Sequence, residues 1–403
     1  MKKKVVCGLC VMTLLVGGFM GIDQFQPQER SISIVNASVE PTQEETGLKV
    51  DAKAAVLMDA GSGEVLFSQD AHKKLPPASV TKVMTMLLVL ESCKRGNISL
   101  ADTVTISERA ASMGGSQMYM EPGEQHTVEE LLMGVAMVSA NDGCVALAEY
   151  SSGSVEMFVE QMNKRAGELK MKDTHFVNTN GLPVADHYTS AYDIAVMSKE
   201  LLKYKEMNKW FTKWQSTLKV GLPGKEKDFG LTNTNRLIKI YKGAIGLKTG
   251  FTQDAGYCLS GGAKRGETKL IGVILGSPTS KIRFAEISKM FDYGFANYET
   301  VKVAQAGQCQ KTMKIEKGMI TNLDVIIEED VTILVKKGKK KSITTKIEMN
   351  EIVHPPIKNK QKLGELVIYQ DEKEKSRYPI VASQSVKEAS FGSLYIRMMK
   401  KLV

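Results

Sequence analysis

Cysteine and histidine, which most often hold metals or form disulfides, are scarce in this sequence of 403 residues. Two of the 6 cysteines, Cys7 and Cys10, fall in an N-terminal apolar segment. The 5 histidines are scattered, with no pair at helical spacing. This distribution predicts neither a metal site nor a cofactor. The other cysteines, Cys93, Cys144, Cys258 and Cys309, are dispersed along the chain. Because the chain is long enough to build a core without disulfides, we expect them to be small buried thiols. Disulfides, which can form outside the cell, are the alternative.

The N-terminal apolar run is shorter than a typical membrane span. Residues 5–20 are apolar and follow three lysines at positions 2–4. A basic segment followed by a hydrophobic one is typical of a signal peptide, whereas a span needs about 20 apolar residues. We expect an exported protein with a signal peptide at residues 1–37 and a polar linker at 38–50. A retained N-terminal anchor is the alternative.

Acidic residues are fewer than basic ones, 45 against 54, which leaves a net charge of +9. A basic protein in the cytoplasm could bind nucleic acid. Behind an export signal, the available polyanions are lipid headgroups and wall polymers. The charge therefore predicts surface adhesion and no nucleic-acid partner.

The order of apolar patterns predicts an α+β domain followed by a small all-β domain. Residues 54–58 and 64–67 read as two strands around a tight turn, and residues 79–204 are largely helical in period. Strand patterns return at residues 245–276, and a helix follows at 281–298. Strands at both ends of a helical segment predict one antiparallel sheet packed with helices, over residues 51–298. Short alternating runs predict the all-β domain over residues 299–385.

The last segment, residues 386–403, has the pattern of a basic amphipathic helix. Its cations are Lys387, Arg397, Lys400 and Lys401, and one face collects the apolar side chains Phe391, Leu394, Tyr395, Met398, Met399 and Leu402. Such a helix can lie in an anionic membrane surface. The alternative is a helix docked on the protein itself.

A serine and a lysine one helical turn apart form the first candidate catalytic pair. Ser79 follows Pro76 and Pro77, which end any earlier helix and place Ser79 near the start of a new one. Lys82 then lies on the same face and can take the serine proton, if burial or a second cation lowers its pKa. The spacing alone is weak evidence, because it recurs at Ser216 and Lys219. A solvated lysine beside a capping serine explains a lone match equally well.

Two further tripeptides could complete a site. Ser139-Ala140-Asn141 offers a hydroxyl and a carboxamide at a helix end, although a simple helix cap is the alternative. Lys248-Thr249-Gly250 offers a cation and a hydroxyl on a strand, with a glycine that permits close backbone approach. The alternative for this second tripeptide is an ordinary strand end.

The three motifs in this order resemble the serine D-alanyl-D-alanine carboxypeptidases, the low-molecular-mass penicillin-binding proteins. The resemblance covers roughly residues 50–300, and more loosely the β domain and terminal helix. It includes the segments 114–116, 121–124, 175–178, 181–183, 233–235 and 246–252. It implies a serine β-lactamase/transpeptidase-like domain that hydrolyses the terminal D-alanine from peptidoglycan stem peptides and is acylated by β-lactam antibiotics.

The resemblance also implies roles for the catalytic side chains. Ser79 would be the nucleophile and Lys82 its general base. Ser139 and Lys248 would pass the proton to the leaving D-alanine.

For the substrate-binding residues, the resemblance implies that Asn141 holds the peptide and Thr249 grips the terminal carboxylate, beside Lys248 and Gly250. The backbone N–H groups of Ser79 and Phe251 would form the oxyanion hole. Phe251 stands where some members carry histidine, a difference expected to affect the pH dependence and rate more than the type of reaction. Lys242 and Ile245 also depart from a familiar family pattern and could alter the cleft floor.

Two competing functions share this fold. A class A β-lactamase needs a glutamate that activates the deacylating water, and the nearest candidate, Glu168, lacks the asparagine that follows it in that pattern. A wall-binding protein without activity would not be expected to keep the complete set of motif residues.

Overall fold

The computed structural model describes residues 46–350 and 353–402, and side chains as far as Met399. The predicted signal peptide and most of the linker lie outside these residues.

The first part of the chain contains the strands of a central sheet, two small two-stranded sheets and packed helices. In chain order its elements are β1 (Ala54–Asp59), β2 (Val65–Gln69), α1 (Lys82–Lys94), β3 (Thr103–Thr105), α2 (Glu108–Ala111), β4 (Gln125–Thr127), α3 (Val128–Met137), α4 (Asn141–Ser152), α5 (Val155–Glu168), α6 (Ala191–Leu201), α7 (Glu206–Phe211), β5 (Gln215–Val220), β6 (Lys227–Thr232), α8 (Leu237–Ile240), β7 (Ala244–Gly246), β8 (Thr249–Thr252), β9 (Gly256–Arg265), β10 (Thr268–Ser277) and α9 (Ser280–Asn297). The predicted strands, helical middle and closing helix are confirmed. The two two-stranded sheets, β3–β4 and β5–β6, were not predicted.

The central sheet is antiparallel and has the order β2-β1-β10-β9-β7, with β8 also paired to β9. Strand β1 is buried along its whole length, and its side chains alternate between two cores. Val56 and Met58 join the core that contains α1 and α6, whereas Ala55 and Leu57 join the core formed with α9. Helices therefore cover both faces of the sheet, and the predicted α+β class is confirmed.

The second part is all-β, as predicted. Its elements are β11 (Tyr298–Ala304), β12 (Cys309–Lys314), β13 (Asn322–Ile327), β14 (Val331–Lys336), β15 (Ile343–Met349), β16 (Lys362–Gln370), β17 (Lys373–Ala382) and the final helix α10 (Phe391–Leu402). Strands β12-β13-β17-β16-β15 form one sheet, and β11 pairs with β14. Alternate residues such as Leu323, Val325 and Ile327 fill a separate core.

The helix α10 begins at Phe391, later than the predicted start at residue 386. The preceding residues are held by the β domain instead, since Val386 pairs with Ile357 and the Met319 N–H donates to the carbonyl of Lys387. Among the described residues, no helix is long and apolar enough to cross a membrane.

Candidate active site

The turn that carries Ser79, the predicted nucleophile, connects the two prolines to α1 and is called the nucleophile turn below. Residues Ala78–Thr81 form a 3-10 turn, and α1 starts directly afterwards at Lys82. Ala78 has a φ of 49°, a left-handed conformation that is strained for a residue with a side chain. The turn and helix place the Lys82 amine against the Ser79 hydroxyl, with Nζ donating to Oγ at 2.9 Å.

Lys82 is completely buried and is held on three sides. Besides Ser79, its amine donates to Oδ1 of Asn141 at 2.7 Å and to the carbonyl of Asn180 at 2.8 Å. Burial disfavours the charged amine and lowers the pKa of Lys82 to about 8. A substantial fraction is therefore neutral near physiological pH.

Ser139 and Asn141 lie where α3 gives way to α4. Ser139 has a φ of 66°, and its buried hydroxyl has no hydrogen-bond partner within the described residues. Asn141 opens α4 and donates from Nδ2 to the carbonyl of Gly114 at 2.6 Å. The Asn141 carboxamide thus connects the loop at Gly114 to Lys82.

Lys248 lies between β7 and β8 and exchanges both backbone hydrogen bonds with Ser260 of β9. Its buried amine donates to the carbonyl of Thr249 at 3.0 Å. Burial, and then the nearby charge of Lys82, lower the pKa of Lys248 well below its usual value. The charge of Lys82 therefore disfavours the charged form of Lys248.

The strand β8 presents one edge to the nucleophile turn. Because Lys248 and Ser260 form a hydrogen-bonded pair, the alternation of an antiparallel ladder turns the N–H groups of Thr249 and Phe251 away from β9. Gly250 permits a close approach, since a Cβ there would lie 2.9 Å from the Pro77 oxygen and 3.0 Å from the Ser79 nitrogen. The Phe251 side chain is 51% exposed and stacks on Tyr257.

The structure thus brings predicted residues of all three motifs together around the Ser79 turn. Ser79, Lys82 and Asn141 are joined by direct hydrogen bonds. Gly250 touches the nucleophile turn, and Thr249 faces a second hydroxyl, Thr234, with the two oxygens 2.8 Å apart. Ser139 is at the same loop as Asn141 and makes no such bond. This arrangement can activate a serine, bind an oxyanion and hold an anionic end group.

Glu168, the candidate glutamate of a β-lactamase, is elsewhere. It is the last residue of α5, is 45% exposed and pairs with Arg165 at 3.0 Å. Within the described residues, no group of three or more histidine, cysteine, aspartate or glutamate side chains is placed to hold a metal ion.

Comparison with known proteins decides the family. The family model described as D-alanyl-D-alanine carboxypeptidase matches residues 38–279, and a model of the C-terminal domain of penicillin-binding protein 5 matches residues 298–388. The chain belongs to the D-alanyl-D-alanine carboxypeptidase family. It is therefore a serine-type carboxypeptidase, as the motifs predicted.

Named carboxypeptidases and solved structures agree with this family. The chain is 43% identical over 350 residues to D-alanyl-D-alanine carboxypeptidase DacF of Bacillus subtilis, covering 87% of this chain and 89% of that protein. It is similar to the crystal structure of penicillin-binding protein 5 from Haemophilus influenzae, with a TM-score of 0.69, 32% identity and coverage of 84% and 98%. The carboxypeptidase DacD from Francisella tularensis gives a TM-score of 0.63 at 30% identity, covering 92% and 99%.

Several residues of this carboxypeptidase site were not found from the sequence. Asn180 contributes only its carbonyl, which no side-chain pattern can reveal. Thr234 lies in a segment already noted as family-like, but nothing assigned it a role. Asp142 adjoins a motif, and its carboxylate accepts the Met118 N–H at 2.9 Å. Arg283 of α9 donates to the carbonyl of Gly250 at 2.9 Å, and no sequence signal pointed to it.

Proposed function

We propose that this carboxypeptidase removes the terminal D-alanine from peptidoglycan stem pentapeptides through an acyl-enzyme on Ser79. The observation that carries the proposal is the 2.9 Å contact between Lys82 Nζ and Ser79 Oγ. Burial gives that amine a pKa of about 8, so its neutral form is available as a base within reach of the hydroxyl proton.

Acylation begins when neutral Lys82 takes the Ser79 proton as Oγ bonds to the carbonyl carbon of the penultimate D-alanine. The carbonyl electron pair moves onto oxygen, where the N–H groups of Ser79 and Phe251 bind the oxyanion. Collapse of the intermediate breaks the C–N bond, and the leaving amine takes the proton that Lys82 had accepted, which returns the Lys82 amine to its neutral form. The buried hydroxyl of Ser139 has no hydrogen-bond partner within the described residues, which supports a role for it, together with Lys248, in delivering that proton.

Deacylation repeats these steps with water. Lys82 takes a proton from water, the hydroxide oxygen attacks the ester carbonyl, and the C–O bond to Ser79 breaks. Ser79 recovers its proton and the tetrapeptide leaves. One water is consumed, and one D-alanine and one tetrapeptide are produced.

The substrate contacts follow from the groups that line the cleft. We assign the terminal carboxylate to the hydroxyls of Thr249 and Thr234. A carboxylate bound beside Lys248 would favour the charged form of that amine, which burial disfavours in the free enzyme. Asn141 uses one Nδ2 hydrogen on Gly114, and its second N–H is oriented by the same contact to bind a substrate amide. The amide of a β-lactam resembles the acyl-D-alanyl-D-alanine bond, so penicillin is expected to acylate Ser79.

Mass spectrometry of the purified ectodomain with a pentapeptide ending in two D-alanines tests this proposal. We expect a tetrapeptide and free D-alanine to appear in equal amounts. A chelator should leave the rate unchanged. Activity that disappeared with a chelator and returned with zinc would contradict the serine mechanism.

The domain division and the location follow from the same function. Wall peptides lie outside the cytoplasm, so this family acts there, in accord with the predicted signal peptide at residues 1–37. We propose a catalytic domain at residues 51–298 and an all-β domain at 299–385 that holds the cleft toward the wall. The final helix α10 would then rest on the outer face of the membrane.

The exposed apolar side chains of α10 support a lipid surface as its partner. Exposed fractions are 85% for Phe391, 52% for Tyr395 and 55% for Met398. Arg397, one of the predicted cations of this helix, donates from Nη1 to the carbonyl of Gly318 at 2.7 Å, so it also ties α10 to the β domain. The side chains of Lys400, Lys401 and Leu402 lie outside the described part.

Flotation on anionic vesicles tests the attachment. Mature protein should float, and a chain ending at Ser390 should not, while both keep carboxypeptidase activity. Ending at Ser390 preserves the pairing of Val386 with the β domain. Equal flotation of both chains would show that α10 is docked on the protein and that attachment lies elsewhere.

A further inference from the structure

A strap of residues 178–187 runs along the nucleophile turn and the first part of α1. The carbonyl of Thr179 accepts a hydrogen bond from Thr85, and the carbonyl of Asn180 accepts one from Lys82. Gly181 lies so close that a Cβ there would be 1.8 Å from the Ala78 oxygen. The strap ends at His187, a buried residue that neither the motifs nor the mechanism above uses.

The hydrogen bonds of His187 determine its tautomer. The backbone N–H of Val177 lies 3.0 Å from Nδ1, and because a backbone N–H can only donate, Nδ1 must be the acceptor. Burial, together with nearby His175, lowers the pKa of His187 to about 4, so the ring is neutral in ordinary buffers. The ring proton is therefore on Nε2, which lies 2.8 Å from the Thr81 hydroxyl and donates to it.

The chain of hydrogen bonds continues to the backbone before Ser79. Having accepted from His187, the Thr81 hydroxyl donates to the Ala78 carbonyl at 2.9 Å. That carbonyl and the N–H of Ser79 belong to one planar trans peptide and point in opposite directions. Holding the Ala78 oxygen toward the strap therefore directs the Ser79 N–H toward β8, whose Gly250 lies against the Ser79 nitrogen.

We propose that His187 is a positioning residue for the oxyanion hole, acting through Thr81 on the peptide unit between Ala78 and Ser79. The inference rests on the proposed function, in which the Ser79 N–H binds the oxyanion. The relay offsets the strain of the left-handed Ala78 and keeps the donor aimed before substrate arrives. Each hydrogen bond in the relay also polarises the next, which strengthens the Ser79 N–H as a donor.

The test compares an acylating D-alanyl ester with its analogue in which sulfur replaces the scissile carbonyl oxygen. Sulfur is a weak acceptor, so the rate ratio of the two substrates reports the oxyanion hole rather than general integrity. His187→Asn keeps an acceptor for Val177 but loses the donor to Thr81. We expect the acylation rate of this variant with the oxygen ester to fall about 10- to 100-fold below wild type, and its rate with the sulfur analogue to stay within about threefold of wild type. Thr81→Val should do the same.

Two conservative variants and one matched control complete the experiment. His187→Gln and Thr81→Ser keep the relay, and both should acylate within about threefold of wild type. Thr85→Val removes a similar buried hydroxyl bond, 2.6 Å long, in α1 one turn after Thr81. This control should lower the melting temperature without changing the oxygen-to-sulfur ratio.

Equal losses on both esters in His187→Asn and Thr81→Val would overturn the inference, as would a His187→Gln protein no better than His187→Asn. Penicillin labelling of wild-type Ser79 is measured alongside. If wild-type Ser79 is labelled but the oxygen-to-sulfur rate ratio is unchanged in His187→Asn and Thr81→Val, only the relay is rejected. If wild-type Ser79 is not labelled, the proposed function is rejected.

Discussion

The chain contains the Ser-x-x-Lys pattern twice, and the two copies differ in every physical respect that matters. Ser79 and Lys82 lie at the start of α1, where the amine is completely buried and bonded to the hydroxyl at 2.9 Å. Ser216 and Lys219 lie in β5, at the edge of a two-stranded sheet. There the Lys219 side chain is 70% exposed and pairs with Asp228 at 3.1 Å.

The difference comes from secondary structure rather than from spacing. Residues three apart lie on one face of a helix but on opposite faces of a strand. A serine and lysine in β5 therefore point away from each other. The two prolines before Ser79 end the preceding segment and allow a helix to start, whereas β5 pairs with β6 and remains extended. A catalytic pair thus requires the helix as well as the two residue types.

The largest effect should separate the two serines. Ser79→Ala should abolish penicillin labelling, because loss of a nucleophile typically costs about 10⁶-fold in rate. Ser216→Ala should label like wild type, since that hydroxyl has no base beside it. Peptide mapping of the penicilloyl adduct measures both. An adduct on Ser216, or undiminished labelling of Ser79→Ala, would reverse the comparison.

The two lysines should differ by a smaller factor. Lys82→Ala removes the general base and should slow acylation about 10²- to 10⁴-fold or more, while Lys219→Ala removes only an exposed ion pair worth about 1 kcal/mol of stability or less. Stopped-flow acylation rates of both variants give the answer. Normal acylation by Lys82→Ala would make Lys248 the next candidate for the base.

Two threonines extend the comparison to recognition. Thr249→Val loses one hydrogen bond to a charged carboxylate, about 1.5 to 3 kcal/mol, so KM should rise about 10- to 100-fold with a smaller change in kcat. Thr217→Val, at an exposed position in β5, should change neither constant. A Thr249→Val protein in which only kcat falls would place Thr249 in the chemical steps instead.

The sequence predicted the fold class because apolar periodicity follows directly from which faces are buried. The sequence also predicted eight site residues, because hydroxyls, amines and a carboxamide rarely occur in this order by chance. These residues are Ser79, Lys82, Ser139, Asn141, Lys248, Thr249, Gly250 and Phe251. What the sequence could not reveal are contacts made by backbone atoms, such as the Asn180 carbonyl on Lys82, and contacts across long separations, such as Arg283 with Gly250. The tethering of Arg397 was missed for the same reason: charge pattern indicates a cation but not its partner.

The smallest effect concerns the pH dependence of acylation, and it follows from the burial of Lys82. Lys82 acts as a base only when neutral, and burial lowers its pKa to about 8. Acylation should therefore fall about tenfold per pH unit below 8 and level off above it. The lowered pKa also makes stability depend on pH. A lysine in the unfolded chain has a pKa of about 10.4, so between about pH 8 and 10.4 Lys82 is protonated in the unfolded chain and neutral in the folded one. Raising the pH through that range should relieve the cost of burying Lys82 and increase its contribution to the free energy of unfolding. Lys219→Ala should reproduce the wild-type pH profile of acylation. A profile that stayed flat from pH 6 to 9, or fell as pH rose toward 8, would show that the base is not a buried amine.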